Sequence, residues 1–263
     1  MTLEGYAVEG GLDQPGGPAT CYAPTIALGR HVGPGAADDL WHRYEDVLNF
    51  IPALGFDGVR LTIEWARVEP RPGWIDEAAL ARYGEVLRHA RSLDLLVTLA
   101  VVDAAWPSWL GQEAWLLPWV VPHVIAQARR LVERFSRDLT GVVLFAQPRE
   151  LVANGFLRAT APPWRRSALR EASFANAQIA RLNEVLRRDE MVGPTLTASS
   201  AVIALGQAPR DLARARASLE VQEIYVRSLL RGRGPTSVAQ GLLVQEGGEW
   251  RVNAPAELLD VLR

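Results

Sequence analysis

The chain contains no lysine: all 28 of its basic side chains are arginine. That absence excludes Schiff-base chemistry, pyridoxal-phosphate catalysis through an internal aldimine, and phosphate loops built on a lysine. Cysteine is nearly absent too. The single Cys21 cannot close an internal disulfide, and with four scattered histidines it gives no metal-ligand spacing, so no metal and no cofactor are expected. Charge of one sign is lacking: 28 basic against 30 acidic groups leave a net charge of −2, and the basic pairs Arg129–Arg130, Arg165–Arg166 and Arg187–Arg188 stand apart. Nucleic acid, which needs summed positive charge, is excluded as a partner. There is no long hydrophobic run. The stretch from Trp115 to Ile125 is broken by Pro118 and Pro122, and the N-terminal MTLEGYAVEGG has no charged start followed by an apolar core. These features point to a cytoplasmic protein with no membrane partner.

What is present is a globular composition, 49% hydrophobic over 263 residues, enough for one barrel-sized domain spanning 1–263. Short apolar runs at 6–9, 58–64, 95–102, 142–147 and 192–198 read as strands. Between them, 41–54, 76–92, 122–137 and 168–188 place apolar residues at helical spacing, the first ending at a Gly55 suited to a left-handed cap. Strand–helix alternation implies a parallel sheet with helices outside it, and runs such as LLVTLAVV are apolar enough to be covered on both faces. After a helix over about 211–230 the pattern changes. GLLVQEGGEWRV reads as a hairpin about Gly247–Gly248, and APAELLDVLR as a short terminal helix.

The segment HRYEDVLNFIPALGFDGVRLTIEWARVEPRPGWIDEAALARYGEVL, 42–87, resembles glycoside hydrolase family 1, the β-glucosidase family, keeping Arg60, Trp65, Arg67 and Pro70 of its pattern. The resemblance continues through VTLAVVDAAWPSWL (the family's V-T-L-x-H-W-D-L-P), LFAQPRELVANGF (its T-F-N-E-P), PPWRR, GPTLT and DLARARASLEVQEIYVRSLLRGRGP, so that it covers about 1–235. It implies a TIM-barrel-derived (β/α)8-like α/β fold with its site at the carboxyl ends of the strands. A full barrel takes about 250 residues, and five units already reach residue 235. The fold is therefore expected to be truncated or modified after the fifth unit, with a C-terminal hairpin and helix, and a homodimer is expected to cover the exposed sheet edges.

Against that resemblance the departures stand out. Retaining glycosidases need two carboxylates about 5–5.5 Å apart. The family's acid/base position, the Glu of N-E-P, is Gln147, which has no proton to give, and its Asn is Ala146. The Gln of Y-Q-I-E-G is Ala7, the His of H-W-D is Val101, and no T-E-N-G-like nucleophile motif occurs. The chain thus reads as a family 1-like barrel that has lost the retaining-glycosidase residues. If Arg60 faces inward, strand alternation turns Thr62 and Glu64 inward too. Glu64 and Asp103 are then the candidate catalytic groups. Arg60, Gln147, Glu150, Trp65 and Trp106 are the candidate substrate-binding ones.

Each has a structural alternative: an ion pair for Glu64 and Arg60, a turn cap for Asp103, a helix-start acid for Glu150, and packing for each tryptophan. Three functions stay open. One is a repurposed enzyme doing acid–base chemistry on a small molecule (isomerisation, cyclisation, elimination or non-standard hydrolysis, as in natural-product biosynthesis). Another is a non-catalytic pseudo-glycosidase binding a small molecule or a protein. The third is a residual O-glycosyl hydrolase using substitute carboxylates.

Overall fold

The computed structural model describes residues 1–187, 243–246 and 249–252. Four parallel strands, β1 (Thr2–Leu3), β2 (Gly58–Thr62), β3 (Leu96–Val102) and β4 (Gly141–Phe145), lie side by side in chain order. Their registers set Thr2 opposite Arg60, Arg60 opposite Thr98, and Thr98 opposite Gly141. Each connection carries a helix: α3 (Leu40–Ala53) precedes β2, α5 (Glu77–Ser92) precedes β3, and α6 (Val120–Phe135) precedes β4.

Local chemistry explains the boundaries. α3 ends at Gly55, whose φ of +81° is the left-handed conformation that its position requires. Asp76 starts α5 by accepting from the Ala79 amide at 2.9 Å. On α6 the buried positions Val120, Val124, Ala128, Leu131 and Phe135 form one stripe against the sheet. α8 (Leu169–Arg187) buries Ala172, Ala175, Ile179, Leu182 and Leu186 on one side and packs against α6, the turn Ala114–Leu116 and the segment 148–157. Nearly all buried apolar residues among those described join one continuous core, in which Leu48, Ile51, Leu99 and Phe145 are almost wholly enclosed. Each such side chain contributes about 1.5–3 kcal/mol. Among the described residues no helix is long and apolar enough to cross a membrane.

The expected strand over 6–9 is not formed. The strand is Thr2–Leu3, and Gly5–Val8 is a single helical turn, α1, closed by the Glu9 amide on the Gly5 carbonyl at 2.9 Å. Two constraints override the alternating pattern. Glu9 is drawn inside by Arg67 and Tyr83, and Gly5 sits so close to β2 that a Cβ would stand 2.9 Å from the Thr62 carbonyl oxygen. β2 and β4 end two residues earlier than expected, at Thr62 and Phe145, whereas β3 ends at Val102 as expected. Glu64 caps the short α4 (Trp65–Val68) through its side chain, and Gln147 stands at the N-terminal boundary of α7 (Pro148–Val152) without a capping side-chain bond. The hairpin is present as β5 (Leu243–Glu246) and β6 (Glu249–Val252), antiparallel, with Glu246 opposite Glu249. The expected strand at 192–198, the helix at 211–230 and the terminal helix fall outside the described residues.

Gly10 ties the N-terminal turn to the loop before α3. Its φ is +77°, and a Cβ there would meet the Ala36 carbonyl oxygen at 2.1 Å. Gly10→Ala is expected to cost about 2 kcal/mol or more through backbone conformation plus that clash, read as a lowered midpoint in urea denaturation.

Candidate active site

The four strands deliver their next residues to one end of the sheet. Glu4 follows β1 directly and Asp103 follows β3 directly, while Glu64 and Gln147 come two residues after β2 and β4. Glu4, Asp103 and Gln147 line a cavity of about 140 Å³. Tyr22 and Trp106 supply aromatic wall, and Glu150 and Asn154 close the side nearest α7. Asn154 belongs to a π-helical turn, Ala153–Leu157, that continues α7. Such widened turns often flank functional cavities.

Asp103 is 7% exposed and accepts a hydrogen bond from the Thr62 hydroxyl at 3.0 Å. Burial pushes its carboxyl up to about 7, and the negative charge of Glu4 adds to that. The Thr62 bond, the Arg60 guanidinium and the Ala104 amide pull the other way without winning. Gln147 donates its amide N–H to a Glu4 carboxylate oxygen. The direction is forced, because an ionised carboxylate can only accept. Glu150 is paired twice, with Arg158 at 2.9 Å and Arg149 at 3.3 Å.

Beside this cavity lies a second buried cluster. Glu9, 1% exposed, accepts from Arg67 Nε at 2.7 Å and from the Tyr83 hydroxyl at 2.7 Å. Tyr83 in turn accepts the Glu64 amide at 3.1 Å. Glu64, 3% exposed, accepts the Ala66 amide at 3.1 Å, and burial together with the charge of Glu9 pushes its carboxyl up to about 8.

Of the residues singled out in the sequence, the structure gathers Asp103, Gln147, Glu150 and Trp106 on one wall. Glu64 does not line that cavity: β2 ends at Thr62, so Glu64 turns back as the cap of α4 instead of continuing the inward alternation. Arg60 acts on Asp103 by charge from behind the wall, and its Nε is buried without a hydrogen-bond partner. Trp65 is 1% exposed and donates to Glu69 at 3.1 Å, so it is packing. The substituted positions do not converge either: Ala7 is exposed, Val101 and Ala146 are buried, and only Gln147 reaches the cavity.

Sequence reasoning missed Glu4, Tyr22 and Asn154. Glu4 had a readable signal, since each strand of the parallel sheet is followed within two residues by a polar side chain. Placing the first strand at 6–9 hid it.

A sequence model described as glycosyl hydrolase family 1 matches residues 3–257. The chain belongs to glycosyl hydrolase family 1. It is 29% identical over 126 residues to Beta-glucosidase 40 of Arabidopsis thaliana, covering 46% of this chain and 24% of that protein. It is 24% identical over 200 residues to a 6-phospho-beta-galactosidase of Clostridium acetobutylicum, covering 72% and 42%. The chain thus spans between about a quarter and two fifths of the length of these curated relatives. Among solved structures, the AHE enzyme from Alicyclobacillus herbarius superposes with a TM-score of 0.74 at 20% identity, covering 99% of this chain and 61% of that one. A beta-glycosidase from Pyrococcus horikoshii gives 0.72 at 19%, covering 87% and 54%. The family resemblance is borne out, and with it the TIM-barrel-derived fold.

In this family 1 chain, Glu64 sets a pH dependence of stability. Its pKa is raised on folding, so its contribution is complete below the ordinary glutamate value and is lost as pH rises through about 8. Asp103 acts in the same sense up to about 7. Urea midpoints should therefore fall between pH 5 and pH 8, and Glu64→Gln should shallow that fall. An unchanged slope in the variant would contradict the assignment.

Proposed function

We propose that this family 1 barrel carries out acid–base chemistry on a small molecule through Asp103, and that it is not an ordinary retaining β-glycosidase. One observation carries the reading: the Asp103 carboxyl is buried on the cavity wall, and that burial pushes it up to about 7. A group so placed populates both protonation states at neutral pH, which general acid–base catalysis favours. As acid, Asp103 gives its proton to a basic ligand atom. The carboxylate left behind is held by the Thr62 hydroxyl and the Arg60 charge. As base, it takes a proton back, and Glu4 stabilises the neutral form it returns to. Gln147, where the family pattern has its glutamate, positions the ligand without titrating. Isomerisation, cyclisation, elimination and non-standard hydrolysis are all open to one such group.

A second reading has one observation in its favour. Glu4 and Asp103 share a wall, and the charge of Glu4 acts on Asp103, so the two are available as substitute carboxylates for the glycoside hydrolysis suggested by the relatives' names.

Turnover distinguishes the two. The test incubates the protein with p-nitrophenyl β-glucoside, p-nitrophenyl β-galactoside 6-phosphate and a panel of small alcohols, ketones and amines, followed by absorbance and mass spectrometry. The expected result is conversion of a non-glycosidic compound with an inflection near pH 7, falling by about a hundredfold or more in Asp103→Asn. Glycoside release that needs both Glu4 and Asp103 would establish the second reading. Binding with no conversion of any compound would overturn both.

A further inference from the structure

Two side-chain amides line the cavity, and a charged neighbour forces the orientation of each. Gln147 turns an N–H toward Glu4, because a carboxylate only accepts, and keeps its carbonyl and its second N–H. Asn154 is turned the other way round. Its Oδ1 accepts from Arg158 Nη1 at 3.0 Å, and a guanidinium can only donate, so the oxygen has to face Arg158. What Asn154 has left is its NH2 group, which bonds to nothing among the described residues. The local backbone sets this up: Asn154 lies within the π-helical turn and Arg158 directly follows it. The same Arg158 nitrogen donates to Glu150 at 2.9 Å. One exposed guanidinium thus fixes two residues of the cavity wall without lining the cavity itself. Charge along the wall comes close to cancelling. Glu4 and, when ionised, Asp103 are negative, whereas Arg149 and Arg158 outnumber Glu150, and Arg60 stands beside Asp103.

We propose that Asn154 is a ligand-binding donor, held in place by Arg158 as a positioning residue, and that the group it meets is the carbonyl oxygen of a small neutral ligand. A net charge near zero favours neither a cation nor an anion. Fixed donors favour an acceptor, and the Tyr22 hydroxyl and the second Gln147 N–H share the cavity with the Asn154 NH2. A carbonyl oxygen takes two hydrogen bonds and brings no proton of its own to place, whereas a hydroxyl brings one. Tyr22 and Trp106 give the carbon skeleton an apolar wall, and the volume of about 140 Å³ limits it to a single small ring or short chain. The inference rests on the reading of the cavity as the functional site and narrows its ligand to a carbonyl compound.

Cyclohexanone and cyclohexanol share a ring and differ in this one group. Both are titrated into the full chain by NMR, with cyclohexylamine and cyclohexanecarboxylate as charged controls. The native chain should bind the ketone at least as tightly as the alcohol and more tightly than either charged ring. The carbonyl carbon-13 resonance of the bound ketone should move downfield as its oxygen accepts a hydrogen bond. Asn154→Asp keeps the shape and the Arg158 contact but replaces a donor with an acceptor. There the ketone should weaken about tenfold or more, and the alcohol, which can donate, only about twofold. Arg158→Met should lower the ketone-to-alcohol ratio in the same direction, and Arg158→Lys, which still offers one donating nitrogen, should restore part of it. An equal loss of both ligands in Asn154→Asp, as a merely structural asparagine would give, overturns the inference. So does tighter binding of a charged ring to the native chain, or an unshifted carbonyl resonance, whether or not the variants fold. If Asp103-dependent turnover persists while the ketone shows none of this preference, the ligand class alone is wrong and the chemistry proposed for Asp103 stands.

Discussion

Keeping carboxylates out of water at the carboxyl ends of parallel strands is the constraint on which the rest of this structure turns. Glu9, Glu64 and Asp103 are each at least nine-tenths enclosed, and each has its pKa raised by that enclosure. An uncompensated buried charge costs several kcal/mol, so the surrounding chain is organised to limit it. Glu9 receives a guanidinium and a phenol, Glu64 a backbone amide, Asp103 a hydroxyl. These partners come from β2, α4 and α5, so the polar cluster also fastens the N-terminal turn to the first two strand–helix units. Arg67 does double duty, since its guanidinium lies 4.2 Å from the Trp41 ring centroid while it holds Glu9.

The same enclosure separates two populations of acidic groups. Glu150 stands at the rim, paired with Arg149 and Arg158. Glu64 is deeper and serves the joint between β2 and α4. Asp103 lies between these extremes: buried enough to hold a proton, near enough to the cavity to exchange it. The family scaffold supplies the strand ends. Among the side chains placed there, Gln147 donates to Glu4.

Much of this was legible in residue order. The helices α3, α5, α6 and α8 announce themselves through stripes of apolar residues, and Gly55 and Asp76 mark ends because their conformational and capping chemistry is local. Asp103 and Gln147 could be placed at strand ends because a family pattern fixed their positions. What failed was long-range. Tyr6 to Glu9 alternate like a strand, yet an ion pair to Arg67, 58 residues away, makes them a helical turn. Glu64 continues the alternation of β2 on paper, but the chain turns at residue 63 to begin α4. Trp65 falls at a strand end and is consumed by packing against Glu69. In each case the deciding partner is distant in sequence, where periodicity carries no information.

The account stands or falls on the proton carried by Asp103. Its side-chain carboxyl can be followed directly by carbon-13 NMR on aspartate-labelled protein, assigned by its disappearance in Asp103→Asn. The structure predicts a midpoint near pH 7. A midpoint near 4, the value of a solvated aspartate, would show a carboxyl that water reaches freely and would contradict the site as described.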